Sequence, residues 1–230
     1  MVSRKNLNLN ESKMKKVFFF IILVTFTTGL FAQDNSSYMM VMVKQKKAYN
    51  MARSEQDFLS LANSFERISN AESDKWHPLY YAGMCYINMS FINDINPQKD
   101  AYLDKAQTYI DKALEIYPDE SELHVLQALL YQGRIQIDIA QRGMSYSVKA
   151  NEALERAKEY NPENPRVYYL SGLNIRHTPL TYGGGVDSAC KLFKTAMEKY
   201  KTYRPEHVLS PTWGGERNQR LYNENCVDQN

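Results

Sequence analysis

Along most of the chain, apolar residues recur every three to four positions, the spacing of one face of a helix. Phe58, Leu61, Phe65 and Ile68 set that rhythm in DFLSLANSFERISNAE, and MMVMVKQKKAYNMA before it carries the same one. From Trp76 onward the helical stretches come in pairs. Leu79 to Tyr86 is followed by Ala106 to Pro118, His124 to Tyr131 by Ala150 to Pro162, and Tyr168 to Ile175 by Ala189 to Ala196. The pattern predicts an all-α protein of antiparallel helix pairs.

The second members of the pairs repeat. Ala106, Ile110, Ala113 and Pro118 align without a gap on Ala150, Leu154, Ala157 and Pro162, each 44 residues later. A third copy starts at Ala189 and continues through Phe193 and Ala196, with Lys201 in place of the proline. The first members carry a small residue at Gly83, Ala128 and Gly172. Small side chains let paired helices approach closely, and Tyr86, Ile110, Leu154 and Phe193 are predicted to fill the gaps beside them. Pro118 and Pro162 end their helices.

These residues resemble the tetratricopeptide repeat, whose helix pair carries W-x-x-L-G-x-x-Y, then A-x-x-x-F, then A and P. The resemblance covers about Trp76 to Tyr200 and implies an α-solenoid. One spacing departs from it. The small residue of each first helix precedes the alanine of the second by 23, 22 and 17 residues, longer than the family has. FINDINPQKDAYLDKA and QGRIQIDIAQRGMSYSVKA hold the extra length, as longer helices, longer internal loops or both. YGGGVDSACKLFKTAMEKY also resembles the glycine-containing turn of Sel1-like repeats. Four segments follow: a leader over 1–32, a capping helical pair over 33–75, three degenerate repeats over 76–203, and a capping loop with a short helix over 204–230. Trp213 is expected to pack over the last helix pair. In ANSFERI, NPENPR and SPTWGG the chain resembles exported bacterial tetratricopeptide proteins.

One stretch breaks the helical rhythm. Lys15 and Lys16 precede an apolar run from Val17 to Phe26, then Gly29 to Ala32 and a polar stretch. This is the pattern of a secretory signal, starting at Met14 and cleaved after Ala32. The run is shorter than the roughly 20 residues of a spanning helix. Removing the leader changes the charge. Five of the 28 basic residues and one of the 26 acidic ones lie in 1–32, so the remainder has 23 against 25 and is slightly acidic. No electrostatic footprint for nucleic acid remains. An exported protein, periplasmic or secreted, can form disulfides. Of the three cysteines, Cys85 reads as a small buried residue, while a Cys190–Cys226 pairing stays open on sequence alone.

Three glycines, Gly183 to Gly185, run into the last repeat helix. A phosphate loop would need a preceding strand and a Walker or dinucleotide pattern, and neither is present. The glycines read instead as a turn inside a helix hairpin, where positive φ is wanted. Asp187 or Ser188 is expected to cap the following helix. No catalytic motif is found, and no cofactor or metal is expected. His177, His207, Cys190 and Asp187 lack ligand spacing.

Two functions follow. The resemblance implies a scaffold or adaptor that binds a protein or peptide in the cell envelope through the inner face of its first helices. By position that face holds His77, Tyr80, Met84 and Asn88, then Val125, Leu129 and Gln132, then Arg166, Tyr169, Leu173 and Arg176. The Lys and Asn pair with which some members clamp a terminal carboxylate is missing, since Tyr80 and Met84 stand there. The alternative is a small-ligand or metal-binding protein, possibly enzymatic. It would use the loop of His177, Tyr182, Gly183, Gly184 and Gly185 together with the C-terminal tail.

Overall fold

The computed structural model describes residues 36–92 and 98–227. The expected leader, Met14 to Ala32, lies outside them. Two compact units are distinguished, Met1–Lys44 and Gln45–Asn230. Residues 36–51 are helical (α1). The second unit continues with α2 (Glu55–Ala71), α3 (Trp76–Ile92), α4 (Lys99–Ile116), α5 (Ser121–Ile137), α6 (Ile139–Tyr160), α7 (Pro165–Arg176), α8 (Val186–Thr202) and α9 (Gly215–Asn225). A short 3-10 turn covers Leu180–Tyr182. No strand occurs among the described residues.

Sequential helices pack as antiparallel neighbours, α2 on α3, α3 on α4, α5 on α6 and α7 on α8, and α4–α5 and α6–α7 contacts stack the pairs. This is the α-solenoid that the repeat pattern predicts. The local reasons are chemical. Ser54 and Asp57 form a reciprocal capping box at the start of α2, which satisfies two otherwise orphaned amides. Asn164 caps α7 and Pro165 occupies its first turn, where a missing N–H costs nothing. Ala106, Ala150, Ala189, Ile110, Leu154 and Phe193 are fully or almost fully buried, as close helix packing requires.

The extra length of the repeats is divided between helix and loop. In the second repeat Asp138 alone separates α5 from α6 and serves as both C-cap and N-cap, so the length lies in helices of 17 and 22 residues. In the third it lies in the loop after α7.

The 44-residue offset carries through to the hydrogen bonds. His124 Nε2 bonds the Pro118 carbonyl at 2.7 Å, and Tyr168, its equivalent, donates to the Pro162 carbonyl at 2.9 Å. Glu122 and Arg166 occupy equivalent positions too, and they bond each other.

Candidate functional site

After α8 the chain turns back. The segment from Tyr203 to Gly214 lies against the first helices of the repeats, and its own carbonyls are the anchors. Lys46 Nζ donates to the carbonyls of Val208 (2.7 Å) and Ser210 (2.6 Å). Tyr81 donates to Leu209 O at 2.8 Å. Trp213 Nε1 donates to the Tyr80 hydroxyl at 2.8 Å, so Trp213 reaches α3 as well as the last helix pair. Its ring meets Tyr169 edge-on at 6.4 Å.

Beneath this segment is a buried ion pair. Arg166 is 0 % exposed. Its Nε and an Nη atom donate to Glu122 at 2.7–3.1 Å, a two-pronged pairing with the carboxylate. Further bonds go to Tyr203 Oη (2.7 Å) and the Trp213 carbonyl (3.3 Å). Burial works against the charge, but attraction and hydrogen bonds from Glu122 hold the guanidinium pKa above its ordinary value.

Two clefts flank the segment. One, of about 560 Å³, is mainly acidic, with Glu120, Glu122, Glu163 and Glu206 against one cation, Arg204, beside Trp76 and Tyr203. The other, of about 720 Å³, has the opposite character. Tyr49, Phe58, Tyr81, Tyr200 and Trp213 supply aromatic walls, and Lys46, Arg53, Arg217 and Arg220 face a single carboxylate, Glu216. Arg217 and Arg220 are exposed and form no ion pair among the described residues. Burial pushes the Tyr49 phenol pKa well up, so it stays neutral and accepts a hydrogen bond from Asn88 Nδ2 at 2.8 Å.

The residues expected on an inner binding face are therefore largely covered. Tyr80, Met84, Val125, Gln132, Arg166 and Tyr169 are buried. His77, Leu129, Leu173 and Arg176 are half-buried, and Arg176 donates to Asn225 in α9. Half-buried Asn88 alone of this set lines the basic cleft.

The glycine turn is closed on itself. Gly183 (φ 77°) and Gly185 (φ 99°) adopt left-handed backbone. A Cβ at Gly184 would stand 2.0 Å from the Thr178 carbonyl oxygen. The amides of Gly183, Gly184 and Gly185 donate to the carbonyls of Leu180, Pro179 and Ile175, which leaves none for an anion. The expected cap is corrected here. Gly185 occupies the N-cap position of α8 without a side-chain bond, because Asp187 and Ser188 already lie inside the helix, where Ser188 Oγ donates back to Gly183 O. His177 and Tyr182 are exposed at this turn, and neither lines the acidic or the basic cleft.

Cys190 is bonded to Cys226. His207 lies apart from the turn, 5.3 Å from His77 between ring centroids. Among the described residues no group of three or more His, Cys, Asp and Glu side chains is placed to hold a metal ion, and no helix is long and apolar enough to cross a membrane.

His77 stacks on Trp76 at 3.9 Å. Burial, then His207 and Lys46, lower its pKa from 6.5 to about 4. The unfolded chain therefore takes up this proton first, and stability is lost as pH falls from 6.5 towards 4. His77→Phe, which removes the titrating group, should flatten that slope by about 1–3 kcal/mol. Urea unfolding of both proteins at pH 7.5 and 4.5 measures it. Equal losses in the two proteins would contradict this assignment.

The sequence profile of the Regulator of microtubule dynamics protein 1-3 family matches residues 38–173. The chain belongs to that family. No curated protein matches it by sequence. Among solved structures, the HusA haemophore from Porphyromonas gingivalis superposes with a TM-score of 0.74 at 26 % identity, covering 82 % of this chain and 92 % of that one. The tetratricopeptide protein TTC0263 of Thermus thermophilus gives 0.51 at 12 % identity, covering 85 % and 94 %, a likeness of fold. The protein is thus a tetratricopeptide-like scaffold whose structural neighbours include a haemophore.

The basic cleft was not legible in the sequence. Its residues come from α1, α2, α3, α8, α9 and the loop after α8, and only the return of the tail brings them together. SPTWGGERNQR, with tryptophan, two glycines and two arginines in one short run, was the local signal available.

Proposed function

We propose that the protein is an exported helical-repeat carrier that holds a flat, anionic ring compound of the haem class. The observation that carries this reading is the basic cleft, with five aromatic side chains and four cations against one carboxylate. Aromatic walls receive a π-face, and arginines pair with carboxylates in two-pronged fashion. Its volume of about 720 Å³ lies in the range of small-molecule sites. The haemophore neighbour supports the ligand class. Of the two regions expected to serve a small ligand, the tail contributes and the His177–Gly185 turn does not. Export rests on the leader pattern, with residues 1–32 removed, and is supported by the Cys190–Cys226 bond, which suits an oxidising compartment.

Haemin titrated into the purified protein should quench tryptophan fluorescence and shift the haem absorbance. Arg217→Glu/Arg220→Glu, two exposed changes, should weaken binding about tenfold or more. The acidic-cleft variant Glu120→Gln/Glu206→Gln should bind as wild type. No binding by wild type, or binding indifferent to the charge reversal, would sink the proposal. A protein partner is the reading that would then remain. What favours it is the turn tip, where Leu180 is 80 % and Tyr182 71 % exposed on a backbone fixed by hydrogen bonds, as suits a docking loop.

A further inference from the structure

The basic cleft has one wall that is weakly attached. Arg217 and Arg220, half of its cations, stand on α9. An isolated helix of eleven residues is marginal in water, and Asn218 is the sole buried residue of this one. Its attachments are few. Asn218 Nδ2 donates to Phe193 O at 2.9 Å, Arg176 donates to Asn225 Oδ1 at 3.0 Å, and Leu221 and Tyr222 are partly buried on the core. Beyond these and its packing along α8, one tie is covalent. Cys226, the residue that ends α9, is bonded to Cys190 in the first turns of α8, 36 residues earlier.

We infer that the Cys190–Cys226 disulfide is a redox-operated clamp on the ligand cleft: oxidised, it holds α9 so that Arg217 and Arg220 face the ligand, and reduced, it releases them and the ligand with them. This rests on the reading of the cleft as the ligand site. Cys190 and Cys226 are each only partly buried, so a dithiol can approach the bond. A thiolate of the dithiol attacks one sulfur and breaks the S–S bond, giving a mixed disulfide. The second thiolate resolves it. The reductant leaves as a cyclic disulfide, and Cys190 and Cys226 each end as a thiol, a transfer of two electrons and two protons. Cys85 does not compete, because it is fully buried and burial pushes its thiol well above the usual range. The segment from Tyr203 to Trp213 has its own anchors on Lys46, Tyr80 and Tyr81, so opening is confined to α9 and the wall that it supplies. A carrier built in this way loads in an oxidising compartment and yields its cargo where dithiols are present.

Protoporphyrin IX is the probe, since it has no iron for a dithiol to reduce or ligate. It is titrated into oxidised protein, dithiothreitol-reduced protein and Cys190→Ser/Cys226→Ser, with amide exchange followed in parallel. Reduction and the serine variant are each expected to weaken binding about tenfold, with faster exchange confined to 215–225 and α3 unchanged. In Arg217→Glu/Arg220→Glu, whose cations are already gone, reduction should change affinity by less than about twofold. Equal affinity of oxidised and reduced protein overturns the clamp and leaves the ligand site standing. Loss of protection throughout α3 and α5 on reduction also overturns it, because the bond would then hold the whole fold. No binding by oxidised protein removes the ligand site itself.

Discussion

Replacing Arg166 with alanine is expected to cost about 3–5 kcal/mol of folding stability, because it strands the Glu122 carboxylate in a site shut off from water. Glu122 is only 7 % exposed. Besides Arg166, it has Asn164 Nδ2 at 2.8 Å as a partner, too little to compensate a charge. The same change removes the donor to Trp213 O and the cation beneath the rings of Tyr203 and Trp213, so the return segment loosens as well. For a chain of this size, such a loss lowers the melting temperature by about 10 °C. The test is denaturant unfolding of Arg166→Ala beside Arg166→Met/Glu122→Leu. The apolar pair should recover most of the loss, since replacing both partners leaves no charge uncompensated. A double variant as weak as the single one would show that the pair contributes something other than mutual charge compensation.

The second large effect is a difference in sign between two glycines of the same repeat position. Gly83 and Gly172 both lie inside first helices, where glycine-to-alanine is ordinarily favourable by about 1 kcal/mol. At Gly83 a new Cβ would meet Ala106, Ile110 and Leu126 at 3.5–3.6 Å, ordinary contact. Gly83→Ala should be neutral or stabilising. At Gly172 the Cβ would stand 2.5 Å from Phe193 Cε1, and that ring is 0 % exposed in the core with Leu170, Ala189 and Ala196. Gly172→Ala should therefore destabilise by about 1–3 kcal/mol through overpacking. Phe193→Ala should cost about 3–5 kcal/mol through the cavity that it leaves, and Gly172→Ala/Phe193→Leu should be less harmful than the sum of its parts. Thermal unfolding of the four variants decides the matter. Stabilisation by Gly172→Ala would mean that the ring has room to move.

Both predictions combine a residue pattern with a distance that the pattern does not contain. Sequence alone marks Gly172, Ala106 and Ala150 as packing positions, because small residues at equivalent places of successive helix pairs have few other uses, and Phe193 as a large residue that fills a gap beside them. It marked the glycine turn, because three glycines before a helix with no strand ahead of them suit a hairpin and not a phosphate. It did not mark Glu122–Arg166 as a pair. Equivalent positions of two repeats carry opposite charges, and nothing local indicates that they meet. Tyr80, Arg166 and Tyr169 lie on first helices and are buried, because the residues that cover them arrive from 203–214.

What the sequence determined is everything that depends on neighbours within a helix or on one repeat meeting the next: the all-α class, the pairing of helices, the small residues at their contacts and the turn at Gly183–Gly185. These are short-range or periodic constraints, and the residue spacing encodes them directly. The tertiary structure decided what the first helices face. Lys46, Tyr80 and Tyr81 bind backbone carbonyls and a tryptophan more than a hundred residues away, and carbonyl groups are common to every residue, so they leave no mark on the sequence. The basic cleft, the ion pair beneath the tail and the Cys190–Cys226 bond all follow from that one return of the chain.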